Sequence, residues 1–174
     1  MNEFVDYSLS NRILSESAGR ALSSIITKMI KNKGFPFNVY STLIEACVNS
    51  VCDYASEVTG FAHCESKKQL FLRAARAFLG VPKTSPVAAV TAEIGWLEPV
   101  SRTQLRMVRQ YNRVLKMPTS RLTRSIVMWD QQLLGVVEIE TWSNEVKQIF
   151  HNNNLSQIYE NQSLIEGKTS NRDD

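Results

Sequence analysis

Residues 101–117 carry the most restrictive pattern in the sequence. Winding them as an α-helix at 100° per residue separates the charged side chains from the apolar ones. Five cations without an acid among them fall within about 80° of arc on one edge; they are Arg102, Arg106, Arg109, Arg113 and Lys116. The opposite edge is apolar and consists of Met107, Val108, Tyr111, Val114 and Leu115. The pattern predicts an amphipathic helix that packs on a core.

The cationic edge of this helix also bears on function. Like charges four residues apart destabilise a helix by ~0.2–0.5 kcal/mol per pair, so a continuous row of them is expected to have a compensating partner. A row of phosphates is the simplest such partner, and we interpret the edge as a polyanion-binding surface. The alternative is an ordinary solvated face beside acidic residues from elsewhere in the fold.

The net charge of +3 is unevenly distributed along the 174 residues. Residues 67–124 contain twelve Lys or Arg and only two acids, Glu93 and Glu98, so this segment carries +10 and the remainder −7. A basic middle between acidic ends favours binding to a polyanion more strongly than the total charge does.

Length and composition narrow the class of protein. The chain is long enough for one domain or two small subdomains, and a hydrophobic fraction of 43% argues against wholesale disorder. No apolar run approaches the ~20 residues of a membrane helix, and residues 1–6 contain no basic residue, unlike a secretory signal. Three cysteines cannot all pair, which favours a reducing compartment, the cytosol or the nucleus.

Hydrophobic periodicity predicts an all-α fold, a helical bundle of about six to seven helices. The predicted helices cover residues 10–32, the stretch after Asn38, and residues 67–79, 86–95, 101–117, 120–134 and 142–150. Their predicted N-caps are Ser10, Asn38 and Thr141, with capping boxes at Ser66/Gln69 and Ser101/Gln104. Residues 136–139 are compatible with a short strand instead. The predicted organisation is a three-helix unit over 1–80, a basic helical unit over 81–150 and a polar, largely disordered tail over 151–174.

No catalytic site is predicted. The two histidines, His63 and His151, have no nucleophile or carboxylate at motif spacing, and no glycine-rich phosphate loop precedes a Lys-Ser/Thr pair. Asp53 and Glu57 lie four residues apart and would form a carboxylate pair on one helix face; the alternative is a solvated helix end.

No metal or cofactor site is predicted either. Cys47, Cys52 and Cys64 lack the paired short-range spacing of ordinary zinc sites. Cys47 and Cys52 would point about 140° apart on a helix. We interpret the cysteines as buried or surface thiols.

A series of short motifs follows a fixed order along residues 2–162. The motifs are Asn2-Glu3-Phe4, SAGRAL at 17–22, residues 54–60, Phe78-Leu79-Gly80-Val81 followed by Thr84, Pro86, Ala88 and Ala89, then Gly95-Trp96, Asn112-Arg113, Met117, SRLT at 120–123 and Trp129-Asp130. In this order and spacing they resemble the region that follows the polymerase palm in non-LTR, LINE-type retrotransposon reverse transcriptases. The chain departs from that family at Ala55 and Thr59, where glycine and tryptophan are usual.

The resemblance implies a thumb over residues 1–80 and a post-thumb segment over 81–150, without a polymerase centre. The family's paired catalytic aspartates lie upstream of this region, and neither its endonuclease domain nor a C-terminal Cys/His zinc motif is recognised in the sequence. A thumb holds template and product by their backbones, which requires Lys and Arg on rigid helices. The expected partners are therefore RNA or DNA backbone, taken as duplex, and a polymerase palm domain.

The candidate nucleic-acid contacts include the five cations of residues 101–117 and four further arginines. These nine residues are Arg102, Arg106, Arg109, Arg113, Lys116, Arg73, Arg76, Arg121 and Arg124. A helical protein-interaction module is the first alternative, in which Trp96, Trp129 and Trp142 would anchor a partner although core positions suit them better. A truncated transposon remnant without function is the second, and it predicts an exposed apolar patch.

Overall fold

The computed structural model describes residues 7–59, 65–133 and 141–161, and every regular element in these ranges is helical. This confirms the all-α prediction, with seven α-helices of eight or more residues in the described part of the chain. The elements are α1 Tyr7–Lys31, α2 Phe37–Ile44, a π-helical turn Glu45–Asn49, α3 Ser50–Cys52, α4 Ser56–Thr59, α5 Glu65–Leu79, α6 Val87–Ile94, α7 Pro99–Leu115, α8 Leu122–Leu133, α9 Trp142–Asn152 and α10 Ser156–Glu160. The strand considered for residues 136–139 lies outside the described residues.

The chain divides into two compact units, Met1–Thr103 and Gln104–Asp174. The boundary lies within α7 and not near residue 80, where the sequence placed it. Unit 1 therefore contains α1 to α6 and the first turn of α7, while unit 2 contains the rest of α7 and α8 to α10.

The core of unit 1 is formed by α1, the segment from α2 to α3, and α5. Ala18, Leu22, Ile25 and Met29 line the buried face of α1 at helical spacing. They pack with side chains from the other two segments, which are Tyr40, Ile44, Val48, Cys52, Leu70 and Ala74. A second cluster joins α5 to α6 through Phe71, Leu72, Ala75, Val90 and Ile94.

The π-helical turn explains which side of the α2–α3 segment is buried. Tyr40, Ile44, Val48 and Cys52 are all buried and are separated by four residues each. In an uninterrupted α-helix such a series would drift by about 120° over three steps, but one extra residue in a π turn reduces the drift to about 20°. The predicted face for this helix included Cys47 and Tyr54, which are exposed, because regular α-helical spacing was assumed.

An aromatic cluster fixes Trp96 in unit 1. Its ring stacks on Tyr40 and Phe37, with centroid distances of 6.0 and 6.4 Å, and meets Phe71 edge-on at 6.1 Å. The indole Nε1 donates a hydrogen bond to the Ser41 hydroxyl at 3.0 Å. Trp96 is therefore a half-buried core residue, as its size and apolar ring favour.

The core of unit 2 centres on three aromatic rings from α7, α9 and α10. Tyr111, Phe150 and Tyr159 are each at most 8% exposed, and their ring centroids lie 5.3 to 5.6 Å apart. Gln131 of α8 donates from Nε2 to both tyrosine hydroxyls, at 3.3 Å to Tyr111 and 3.1 Å to Tyr159. Tyr159 lies in a segment predicted to be a disordered tail. That prediction is wrong for residues 151–161, because a buried ring holds α10 to the core.

Most of the predicted N-caps are wrong, and one is confirmed. Helices α1, α5 and α7 begin before Ser10, Ser66 and Ser101, while Asn38 lies inside the first turn of α2, whose N-cap residue is Pro36. The Gln69 side-chain amide donates to the Glu65 carboxylate at 2.7 Å, whereas the predicted capping box would have paired it with Ser66. In α7 the buried Pro99 occupies the first helical position, where its missing N–H carries no penalty. Only Thr141 caps as predicted, by accepting from the Asn144 amide at 3.2 Å.

Candidate nucleic-acid interface

Helix α7 has the two edges that the sequence predicted. Met107, Tyr111 and Val114 are at most 2% exposed and face the core of unit 2, with Leu115 at 8% and Val108 half-buried beside them. Because these side chains fix the rotation of the helix about its axis, the cationic edge must point away from that core.

Three of the five cations in the predicted row are exposed along this edge. Arg109, Arg113 and Lys116 all belong to unit 2 and lie within about 60° of arc by the 100° repeat. Arg106, on the same edge, is half-buried. Arg113 and Lys116 stand at the C-terminal end of α7, where the helix dipole favours cations.

Arg102, the first member of the predicted row, is held within unit 1. Its Nε donates to Oδ2 of Asp53 at 2.9 Å, its Nη2 approaches Oδ1 at 3.5 Å, and its Nη1 donates to the Leu97 carbonyl at 3.2 Å. The side chain of Asp53 is fully buried and that of Arg102 is 13% exposed. Because a carboxylate neutralises this guanidinium and most of its donors are used, Arg102 is a structural residue.

The four candidate arginines outside the row on α7 are either exposed or bonded to other groups of the fold. Arg121, in the turn between α7 and α8, is exposed. Arg124 donates from Nη1 to the Leu115 carbonyl at 2.9 Å and also to the Met117 carbonyl, so it caps the C-terminal end of α7.

The other two outlying arginines belong to α5 in unit 1. Arg73 is exposed, and its Nη2 donates to the Ser23 hydroxyl at 2.9 Å. Arg76 is half-buried, and its Nη2 donates to the Ser85 carbonyl at 3.0 Å.

The exposed cations of α7 and of the turn that follows it define the candidate site, which we call the cationic edge: Arg109, Arg113, Lys116 and Arg121. Within the described ranges none of these four forms an ion pair with a carboxylate. Residues 104–124 contain six Lys or Arg and no Asp or Glu, so the positive charge is concentrated in this segment. Side chains of this kind on a rigid helix suit the sugar-phosphate backbone of a nucleic acid.

The hypothesis of a carboxylate pair at Asp53 and Glu57 does not fit the structure. Asp53 follows α3 and is fully buried against Arg102, whereas Glu57 is half-buried on α4. They do not share one helix, because Ala55 between them has a positive φ of 55°. The partner of Asp53 lies 49 residues further along the chain, and no local signal in the sequence identifies it.

The two cysteines in the described ranges differ in burial. Burial raises the pKa of the Cys52 thiol, and the neighbouring Asp53 charge raises it further, so this cysteine is held protonated. Cys47 is exposed. No group of three His, Cys, Asp or Glu side chains in the described ranges is arranged to hold a metal ion. Cys64 and His63 lie outside those ranges.

Sequence reasoning did not find the groove beside the π-helical turn of unit 1. It has a volume of about 570 Å³, and its walls include Ser41, Thr42, Glu45, Asn49, Trp96 and Arg102. Asn49 donates to the Glu45 carboxylate at 2.7 Å, and Arg102 is held by Asp53. Of the two hydroxyls in its lining, that of Thr42 donates to the Asn38 carbonyl at 2.8 Å and that of Ser41 accepts from Trp96 at 3.0 Å.

Comparisons with models of known protein families, with curated proteins and with solved structures give no match. The resemblance to the thumb region of a reverse transcriptase therefore stays a prediction. Among the helices that the structure describes, none combines the length and the apolar character needed to cross a bilayer.

Proposed function

We propose that this protein is a nucleic-acid-binding helical module that grips the sugar-phosphate backbone of duplex RNA or DNA through the cationic edge of unit 2. The observation that carries the proposal is the arrangement of α7, whose apolar side is buried while Arg109, Arg113 and Lys116 are exposed in a row. In this module Arg102, Arg76 and Arg124 hold the fold in place, because each of them donates at least one hydrogen bond to another group of the protein.

The motif series described above supports a more specific form of the proposal. The chain would correspond to the thumb and post-thumb region of a non-LTR retrotransposon reverse transcriptase and would act beside a polymerase palm, in the cytosol or the nucleus. In that family the polymerase aspartates lie upstream of the region that these residues resemble, so these residues would contribute binding and not the polymerase chemistry. Binding to backbone rather than to base edges suits that role, because a polymerase must hold every sequence that it copies.

The salt dependence of duplex binding tests the proposal. If all four residues of the cationic edge contact phosphates, log K should fall with log[salt] at a slope of about −3.6, roughly a 150-fold loss of affinity between 50 and 200 mM. The variant Arg109→Gln/Arg113→Gln should halve the slope to about −1.8, a loss of only ~12-fold over the same range. Glutamine preserves helix propensity, so the variant should fold normally.

The matched control is Lys28→Gln/Lys31→Gln, which removes two exposed cations from the last turn of α1 in unit 1. It lowers the net charge by the same amount and should leave the slope unchanged. Equal slopes for the wild type and the Arg109/Arg113 variant would refute the proposal. The competing account, a remnant without function, predicts no salt-dependent binding by the wild type.

A further inference from the structure

Helix α8 presents a second surface, which is apolar and faces away from the core of unit 2. Leu122, Ile126 and Trp129 are 72%, 52% and 66% exposed. Their spacings of four and three place them within about 60° of arc, and we call them the α8 apolar stripe. The opposite side of the helix meets the core through the buried Val127 and through Gln131, which bonds to two tyrosine hydroxyls.

Cations lie at the N-terminal end of the α8 apolar stripe. Arg124 holds the first turn of α8 beside the C-terminal end of α7 through its bond to the Leu115 carbonyl. The exposed Arg121 precedes Leu122 directly, and the exposed Lys116 is at the end of α7. Residues 104–124, which lead into α8, contain six Lys or Arg and no acid, so acidic side chains of a partner would be complementary to this end of the stripe.

We propose that the α8 apolar stripe binds an amphipathic helix of a separate protein, one with apolar side chains at the same spacing and acidic residues beside them. An i, i+4, i+7 row of large apolar side chains is the pattern by which helices dock on one another. Tryptophan is the residue type that most often dominates such interfaces, which gives Trp129 the central role. The proposal shares Lys116 and Arg121 with the cationic edge, but it does not require that edge to bind nucleic acid.

Two other occupants fit the surface less well. A second copy of the chain would bring the same exposed cations, Lys116 and Arg121, to the surface in place of acidic residues that complement them, which disfavours self-association. Unpaired nucleotides stack on aromatic rings, but Leu122 and Ile126 have no aromatic face, so the stripe contains only one stacking residue.

The test uses a labelled synthetic helix with leucines at four-and-three spacing and flanking glutamates, titrated with the full-length protein and followed by fluorescence anisotropy. Trp129→Ala should raise the Kd roughly 30-fold, as expected for a central interface tryptophan. Ile126→Asp should raise it by about tenfold or more. The matched control is Ile13→Asp on α1, because Ile13 is 55% exposed and Ile126 is 52% exposed. The Kd of the peptide for this control variant should equal that for the wild type. These side chains are exposed, so circular dichroism should show unchanged helix content.

Charge and competing occupants are tested with the same variants. A peptide with lysines in place of the glutamates should bind about tenfold or more weakly, and Ile126→Asp should leave the salt slope of duplex binding unchanged. Equal loss of binding in Ile126→Asp and Ile13→Asp, or no binding of the glutamate peptide, would overturn the proposal. So would a wild-type dimer in sedimentation that Ile126→Asp dissociates, or displacement of the peptide by single-stranded oligothymidine.

Discussion

Replacing Asp53 by Asn should strongly destabilise unit 1. The substitution keeps the size of the side chain but leaves the Arg102 guanidinium without a counter-charge. Removing one partner of a buried ion pair costs roughly 3–5 kcal/mol. The Asp53 carboxylate is fully buried and Arg102 is 13% exposed, so some water still reaches the guanidinium and we expect the lower end, about 3 kcal/mol.

The assay is urea unfolding followed by the fluorescence of Trp96, in a background where Trp129 and Trp142 are replaced by phenylalanine. Trp96 packs in the core of unit 1 and therefore reports on the unit that contains the ion pair. A double-mutant cycle with Arg102→Gln separates the pairwise energy from the cost of leaving the other charge buried.

The matched control is Glu16→Gln, which breaks the exposed pair between Arg12 and Glu16. Those atoms are 3.8 Å apart and the side chains are 68% and 63% exposed. Exposed pairs of this kind contribute ~0–1 kcal/mol. A cost for Asp53→Asn as small as that of Glu16→Gln would refute the assignment of Arg102 as a structural residue. In duplex binding, Arg102→Gln should not produce the slope change of about 0.9 that loss of one phosphate contact gives.

Three further predictions follow from burial and capping. Burial raises the pKa of Tyr40 to about 12 from 10.0, so the stability that its neutral hydroxyl contributes should be complete below pH 10 and lost as the pH rises to about 12. Tyr40→Phe should be less stable than the wild type at neutral pH and more stable near pH 12. Plots of unfolding free energy against pH that never cross for the two proteins would contradict this. In a Cys64→Ser background a thiol reagent should modify Cys47 quickly and Cys52 only on unfolding; equal rates would contradict their different burial. Thr141→Ala should cost ~1 kcal/mol in urea unfolding and Thr141→Ser should restore it; no difference between the two would exclude a capping role.

The amphipathic helix α7 was predictable because its pattern is local. The spacing of Met107, Tyr111 and Val114 sets one face, and that face is buried in the structure. The fate of each cation on the other face was not predictable. Arg102 and Arg109 occupy equivalent positions in the pattern, but only Arg102 meets a carboxylate, and that carboxylate comes from a turn 49 residues away.

Helix α8 shows a different limit of periodicity. The sequence treated Leu122, Ile126, Val127 and Trp129 as one set of apolar residues, but Val127 is buried while the other three are exposed. Periodicity locates apolar faces; it does not reveal which of them the rest of the chain covers. The predicted N-caps failed for a related reason. A favourable capping residue such as Ser101 does not set the start of a helix when Pro99 begins that helix about one turn earlier.

The most direct test of the central claim is to see which arginines touch nucleic acid. The Nε–Hε resonances of the arginine side chains would be followed by NMR while a short duplex is added at low salt. If the cationic edge binds the duplex, the Nε–Hε resonances of Arg109, Arg113 and Arg121 should change their chemical shifts. The resonances of Arg102, which is held by Asp53, and of Arg12 on α1 should not change. Unchanged resonances for Arg109 and Arg113 in a duplex-bound sample would contradict the account.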